Sequence, residues 1–119
     1  MKKVIIAEDS SVIQNLTRKI LQIQKYDITS VKNGFEVIEE MNKGNFDLIL
    51  MDINMPKMDG MECAQQIRKM DDKQKSKIPI IAITGNAKNY YISDFNEAGI
   101  NEFITKPLNF DVLVETVKK

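Results

Sequence analysis

The chain has 119 residues, 43% of them hydrophobic and 29% charged, the size and mixture of one soluble globular domain, here taken as residues 1–119. Its 17 basic and 17 acidic residues cancel, so it lacks the basic excess of a nucleic-acid binder. Its apolar runs are too short to span a bilayer and its first residues do not read as a signal peptide, its single Cys63 excludes an internal disulfide, and the absence of histidine removes His-based metal sites and bases.

Val4-Ile5-Ile6-Ala7 is a continuous apolar run, as expected of a strand buried on both faces. Ser10 or Ser11 can cap a helix whose apolar positions Ile13, Leu16, Ile20 and Ile23 follow helical spacing. Ile28 to Val31 is a weaker, β-branched strand. Asn33-Gly34 breaks it, and Val37, Ile38 and Met41 mark a second helix. Leu48 to Met51 is the third strand. Asp59 and Glu62 then have capping-box spacing ahead of a helix with Ala64, Ile67 and Met70 inward, on which Cys63 is a small core or boundary residue. Asp71 to Lys77 reads as a surface loop.

Ile78 to Ile83 is the fourth strand, with Pro79 tolerable only near its beginning. Ile92, Phe95 and Ala98 support helix four, which Gly99 ends. Glu102 to Thr105 is a short fifth strand, and Asn109 caps a last helix with Phe110, Leu113, Val114 and Val117 inward. Five strands alternating with five helices imply an α/β fold, a doubly wound parallel sheet. The flavodoxin-like (βα)5 strand order 2-1-3-4-5 is the leading choice.

In such sheets ligands bind beyond the carboxyl ends of the strands, where strand order reverses. Strand one ends in Glu8-Asp9, strand three in Asp52 and strand four in Thr84, and strand five runs into Lys106-Pro107. The ends of strands one and three would bring three carboxylates together. Those repel one another unless a cation compensates, and oxygen ligands favour a hard ion such as Mg²⁺. Lys106 can hold a phosphoryl oxygen or pair with Asp52, and Thr84 offers a hydroxyl. Together they suit phosphoryl transfer to Asp52. Taken singly, each has a plainer reading: Asp9 and Asp59 as caps, Thr84 as strand propensity, Lys106-Pro107 as a turn. The joint pattern across successive strand ends outweighs those readings.

The blocks Ala7-Glu8-Asp9-Ser10, Met51 to Gly60, Ile83-Thr84-Gly85-Asn86-Ala87 and Phe103-Ile104-Thr105-Lys106-Pro107 resemble the signatures of response-regulator receiver domains, both single-domain regulators and those of hybrid sensor kinases. The resemblance implies that Asp52 is the phosphoacceptor. It implies that Asp9 binds Mg²⁺ directly, that Glu8 helps through water, and that the Asn54 backbone carbonyl is a further ligand; it leaves room for Mn²⁺ in place of Mg²⁺. Thr84 and Phe103 would be the switch pair, and Lys106 would contact the phosphoryl group, with a cis bond to Pro107.

The implied partners are a histidine kinase or histidine phosphotransfer protein and a downstream protein reading the helix 4–strand 5–helix 5 face, near which Lys88, Tyr90 and Tyr91 fall. The resemblance leaves room for a phosphorylation-dependent dimer. The single cysteine points to a cytoplasmic protein, the charge balance and short apolar runs to one without direct nucleic-acid or membrane contact, and the resemblance implies that it catalyses only its own phosphorylation and dephosphorylation. Glu8 stands where Asp is commoner and Gly85 where Ala is more usual; Asn54 and Asn86 would flank the phosphoryl group. An Mg²⁺-dependent aspartate-nucleophile phosphatase would need an acid at Asn54. A phosphate-independent pseudo-receiver would not keep Glu8, Asp9, Asp52, Thr84 and Lys106, and an FMN carrier would need a phosphate loop after strand one.

Overall fold

Side chains along the strands alternate between two covered faces, so the central strands are buried at nearly every position. The computed structural model describes residues 2–85, 92–106 and 109–118. Strands β1 (Lys3–Ala7), β2 (Asp27–Val31), β3 (Leu48–Asp52), β4 (Ile80–Thr84) and β5 (Glu102–Thr105) form one parallel sheet in the order β2-β1-β3-β4-β5. The flavodoxin-like arrangement read from the sequence is therefore the observed one.

Ile5, Ala7, Ile49, Met51, Ile80 and Ala82 point to one face, packed with Val37, Met41, Cys63, Ala64, Ile67 and Phe95. These come from helices α2 (Gly34–Lys43), α3 (Gly60–Arg68) and α5 (Ile92–Ala98). Val4, Ile6, Leu48, Leu50, Ile81 and Ile83 point to the other, against Leu21, Leu113 and Val117 of α1 (Ser11–Ile23) and α6 (Phe110–Lys118). The expected helices four and five are thus α5 and α6.

Four expectations need correction. The stretch Asp71 to Lys77 is not all loop: α4 (Lys73–Ser76) forms there, because Asp72 Oδ1 accepts from Gln74 N at 2.9 Å and Lys75 N at 3.2 Å. The fourth strand starts at Ile80 rather than Ile78; Pro79 has no N–H to donate but its carbonyl accepts from Ile49 N at 3.0 Å. On α1 the buried face carries Gln14, Thr17 and Leu21, leaving Leu16 and Ile23 exposed, so the apolar spacing marks a face turned roughly 100° from the buried one. On α6, Leu113 and Val117 set the buried line and Phe110, in the first turn, is exposed.

The caps are as expected. Ser10 Oγ accepts from Ile13 N, Asp59 Oδ1 from Glu62 N at 2.8 Å, and Asn109 Oδ1 from Asp111 N at 3.0 Å. Gly99, at φ +88°, ends α5, and Ile100 N reaches back to Phe95 O at 2.9 Å.

Candidate functional site

The parallel ladders fix which strand ends meet. Ala7 is the last residue of β1 and pairs with Met51, so Glu8 emerges beside Asp52. Asp52 pairs with Ile83, so Thr84 lies one residue beyond it on the neighbouring strand. Thr84 O accepts from Lys106 N at 2.8 Å, which delivers Lys106 to the same end of the sheet. Gly60 lets α3 start against the end of β3: its N–H donates to Ile53 O at 2.9 Å, and a Cβ there would lie 2.7 Å from Asp52 O.

Carboxylate oxygens of Glu8, Asp9 and Asp52, one from each, all lie within 4.8 Å of one another. Glu8 and Asp52 are each 2% exposed, while Asp9 is exposed. Asp52 Oδ1 accepts from Asn54 N at 3.1 Å and Asp52 Oδ2 from Lys106 Nζ at 2.8 Å. Lys106 Nζ also lies 3.5 Å from Glu8 Oε1, within attraction but without a hydrogen bond. Glu8 Oε2 accepts from Ser10 N at 3.1 Å.

Burial pushes the Glu8 carboxyl up to about 7. The Ser10 N–H opposes that, Asp52 adds to it, and Lys106 relieves it in part. Burial also lowers Lys106, yet its hydrogen bond and attraction to Asp52, with Glu8 beyond, leave it raised.

The residues fit a divalent cation. Three clustered carboxylates present hard oxygen donors, and Glu8 Oε1 is buried with no hydrogen-bond partner among the described residues. One ammonium against three acids leaves negative charge for a cation to neutralise.

The structure brings Glu8, Asp9, Asp52 and Lys106 together and sets Asn54 against Asp52 through its N–H. Phe103 of β5 is not part of the carboxylate cluster: it pairs with Ala82 of β4 and is half-buried, with its ring 5.2 Å from that of Phe95. The Pro107 isomer and Asn86, Lys88, Tyr90 and Tyr91 fall outside the described residues. Sequence reasoning missed Gln14, which supports the Glu8 backbone; a polar side chain in register with buried Thr17 and Leu21 was the available signal.

The response regulator receiver domain family matches residues 4–118. The CAI-1 autoinducer sensor kinase/phosphatase CqsS of Vibrio cholerae is 34% identical over 98% of this chain, which spans only 17% of that protein. The polar-differentiation response regulator DivK of Brucella anthropi is 31% identical, over 98% of this chain and 94% of DivK. Among solved structures, the receiver domain of sensor histidine kinase PA1611 from Pseudomonas aeruginosa is 27% identical with a TM-score of 0.88, covering 98% of this chain and 94% of that one.

Proposed function

The chain belongs to the response regulator receiver domain family of two-component signalling, and we propose that it is a phosphorylation switch whose acceptor is Asp52. The observation that carries this reading is the buried Asp52 carboxylate, bonded to Lys106 at 2.8 Å inside the Glu8–Asp9–Asp52 cluster. Glu8, Asp9, Asp52 and the Asn54 carbonyl would hold Mg²⁺, which when bound neutralises phosphoryl charge. The PA1611 receiver has magnesium coordinated in its active-site cleft, which supports that choice. Mn²⁺ suits the same hard oxygens.

In the proposed step an Asp52 carboxylate oxygen attacks phosphorus in line. The P–N bond to the donor histidine breaks and the imidazole nitrogen keeps the electron pair. Lys106 Nζ exchanges its contact with Asp52 for one with a phosphoryl oxygen, and the Thr84 hydroxyl donates to another. Water later cleaves the acyl phosphate and returns Asp52 and inorganic phosphate.

The donor is a histidine kinase or histidine phosphotransfer protein, a reading supported by similarity to receiver segments of sensor kinases. Thr84 and Phe103 are the proposed switch pair, altering the face of α5, β5 and α6 as populations shift between two conformations. In this reading the chain is one receiver unit that works in the cytoplasm and catalyses only its own modification. No helix among the described residues is long and apolar enough to cross a membrane.

Incubation with acetyl phosphate and Mg²⁺, followed by intact-mass measurement, should show one added phosphoryl group. The Asp52→Asn variant should show none. A phosphorylated Asp52→Asn protein would remove Asp52 from this role.

A further inference from the structure

We infer that Gln14 is a positioning residue that sets the Glu8–Asp9 peptide and, through it, both acids of the cation site. The inference rests on the Mg²⁺ reading of the Glu8, Asp9 and Asp52 cluster and goes beyond it. Gln14 is 7% exposed and sits on the buried line of α1 with Thr17 and Leu21. Its amide nitrogen Nε2 carries two hydrogens. One goes to Val31 O at 2.6 Å on β2, the other to Glu8 O at 3.2 Å at the end of β1. Val31 O also accepts from Glu8 N at 3.0 Å. Glu8 is therefore held at its N–H by β2 and at its carbonyl by a side chain of α1.

That carbonyl belongs to the peptide plane joining Glu8 to Asp9. The plane lies beyond the last ladder pairs of β1, Ala7 with Val31 and Ala7 with Met51, so the sheet does not fix it. Rotating the plane would swing both carboxylates relative to Asp52. The Gln14 amide is the hydrogen-bonded restraint on that rotation from the carbonyl side. An apolar side chain of equal length would leave the Glu8 carbonyl buried without this donor and the plane free to tilt. A glutamate would turn acceptor oxygens toward two carbonyls.

The test is Mg²⁺ binding by isothermal titration calorimetry to the full chain, the Gln14→Met variant and Leu21→Ala, a core change on the same helix. Each variant is first confirmed folded by circular dichroism at the titration temperature. Gln14→Met should weaken Mg²⁺ binding about 10-fold, whereas Leu21→Ala should stay within about twofold of the unmodified chain. Amide NMR adds a readout that stability does not move: the Asp9 amide resonance should shift in Gln14→Met without Mg²⁺ and not in Leu21→Ala. Equal affinity in Gln14→Met, or an equal loss in Leu21→Ala, overturns the role of Gln14. An unmodified chain that takes up no Mg²⁺ overturns the cation site itself, which is a different failure. Should Gln14→Met fail to fold, Gln14→Asn, which keeps the amide but shortens its reach to the Glu8 carbonyl, carries the same comparison.

Discussion

Lys106 Nζ donates to Asp52 Oδ2 at 2.8 Å, so a lysine near the end of the chain occupies an oxygen of the proposed acceptor. The same ammonium attracts Glu8 Oε1 at 3.5 Å. It stands in for part of the charge that a divalent cation would bring, and it must also meet the incoming phosphoryl group. Those two tasks respond oppositely to its removal. Lys106→Met should bind Mg²⁺ about 5- to 10-fold tighter, because a competing cation is gone and the carboxylates are left uncompensated. Phosphorylation by acetyl phosphate should slow on the order of 100-fold, because the charge partner of the transferring group is lost. Calorimetry and a phosphorylation time course measure the two. Weaker metal binding in this variant would contradict the competition.

Glu8 makes the metal-free protein sensitive to pH. In the unfolded chain its carboxyl ionises near 4.5, but in the fold burial holds the proton until about 7. Between those values the folded state binds more protons, so this group's contribution to stability falls as pH rises and levels off above 7. The loss is at most about 3 kcal/mol. Mg²⁺ favours the ionised form and should cancel the fall. Thermal unfolding from about pH 5 to about pH 8 in chelator, in Mg²⁺, and in Glu8→Gln tests this; the slope should appear only in the first. A Glu8→Gln protein with the same slope as the unmodified chain assigns it to another group.

Much of this site was legible because it sits where apolar runs stop. β1, β3 and β4 read as uninterrupted apolar stretches, and Glu8, Asp52 and Thr84 are at their ends. Helix faces were harder. With Val12, Ile13, Leu16, Ile20, Leu21 and Ile23 spread over α1, apolar spacing alone supports more than one face, and the buried one contains Gln14 and Thr17. Their burial answers to β-strand carbonyls and to the helix backbone, where Thr17 Oγ1 donates to Ile13 O at 2.8 Å, not to hydropathy. The helix α4 escaped notice because one cap holds it and it has no buried face.

Gly60 and Gly85 should respond oppositely to alanine. At Gly60 the new Cβ would lie 2.7 Å from Asp52 O and 2.9 Å from Ile53 Cα, both backbone atoms that cannot swing aside. Gly60→Ala should cost about 2–3 kcal/mol in urea unfolding and slow phosphorylation by displacing the end of β3. At Gly85 the nearest atom among the described residues, chain neighbours aside, is Lys106 Cδ at 3.7 Å, an ordinary contact. Gly85→Ala should be neutral or stabilise by about 0.5 kcal/mol, with phosphorylation retained. A destabilised Gly85→Ala protein would show that position 85 needs glycine for a reason other than space.

Arg68 ties together segments that the sheet leaves separate. Its Nε and Nη2 donate to Gly99 O at 2.9 and 2.6 Å, its Nη1 to Ser76 O at 2.7 Å and Ile78 O at 2.8 Å, and its Nη2 to Asn101 Oδ1 at 3.0 Å. Asn101 Oδ1 in turn accepts from Ile80 N at 2.8 Å. The C-terminus of α3, the end of α4, the entry to β4 and the turn after α5 are thereby held by one planar guanidinium, whose charged form burial disfavours. Arg68→Ala should lower unfolding free energy by about 2–4 kcal/mol. Arg68→Lys should recover little of it, since a single ammonium cannot reproduce the fork. Gly60 and Arg68 stand at opposite ends of α3, about 12 Å apart along its axis. The Asp52 end therefore keeps its geometry, and the folded Arg68→Ala protein should take a phosphoryl group at the unmodified rate. Urea titration and acetyl phosphate labelling separate the two effects, and a slowed but fully folded variant would mean that this clasp reaches the acceptor site.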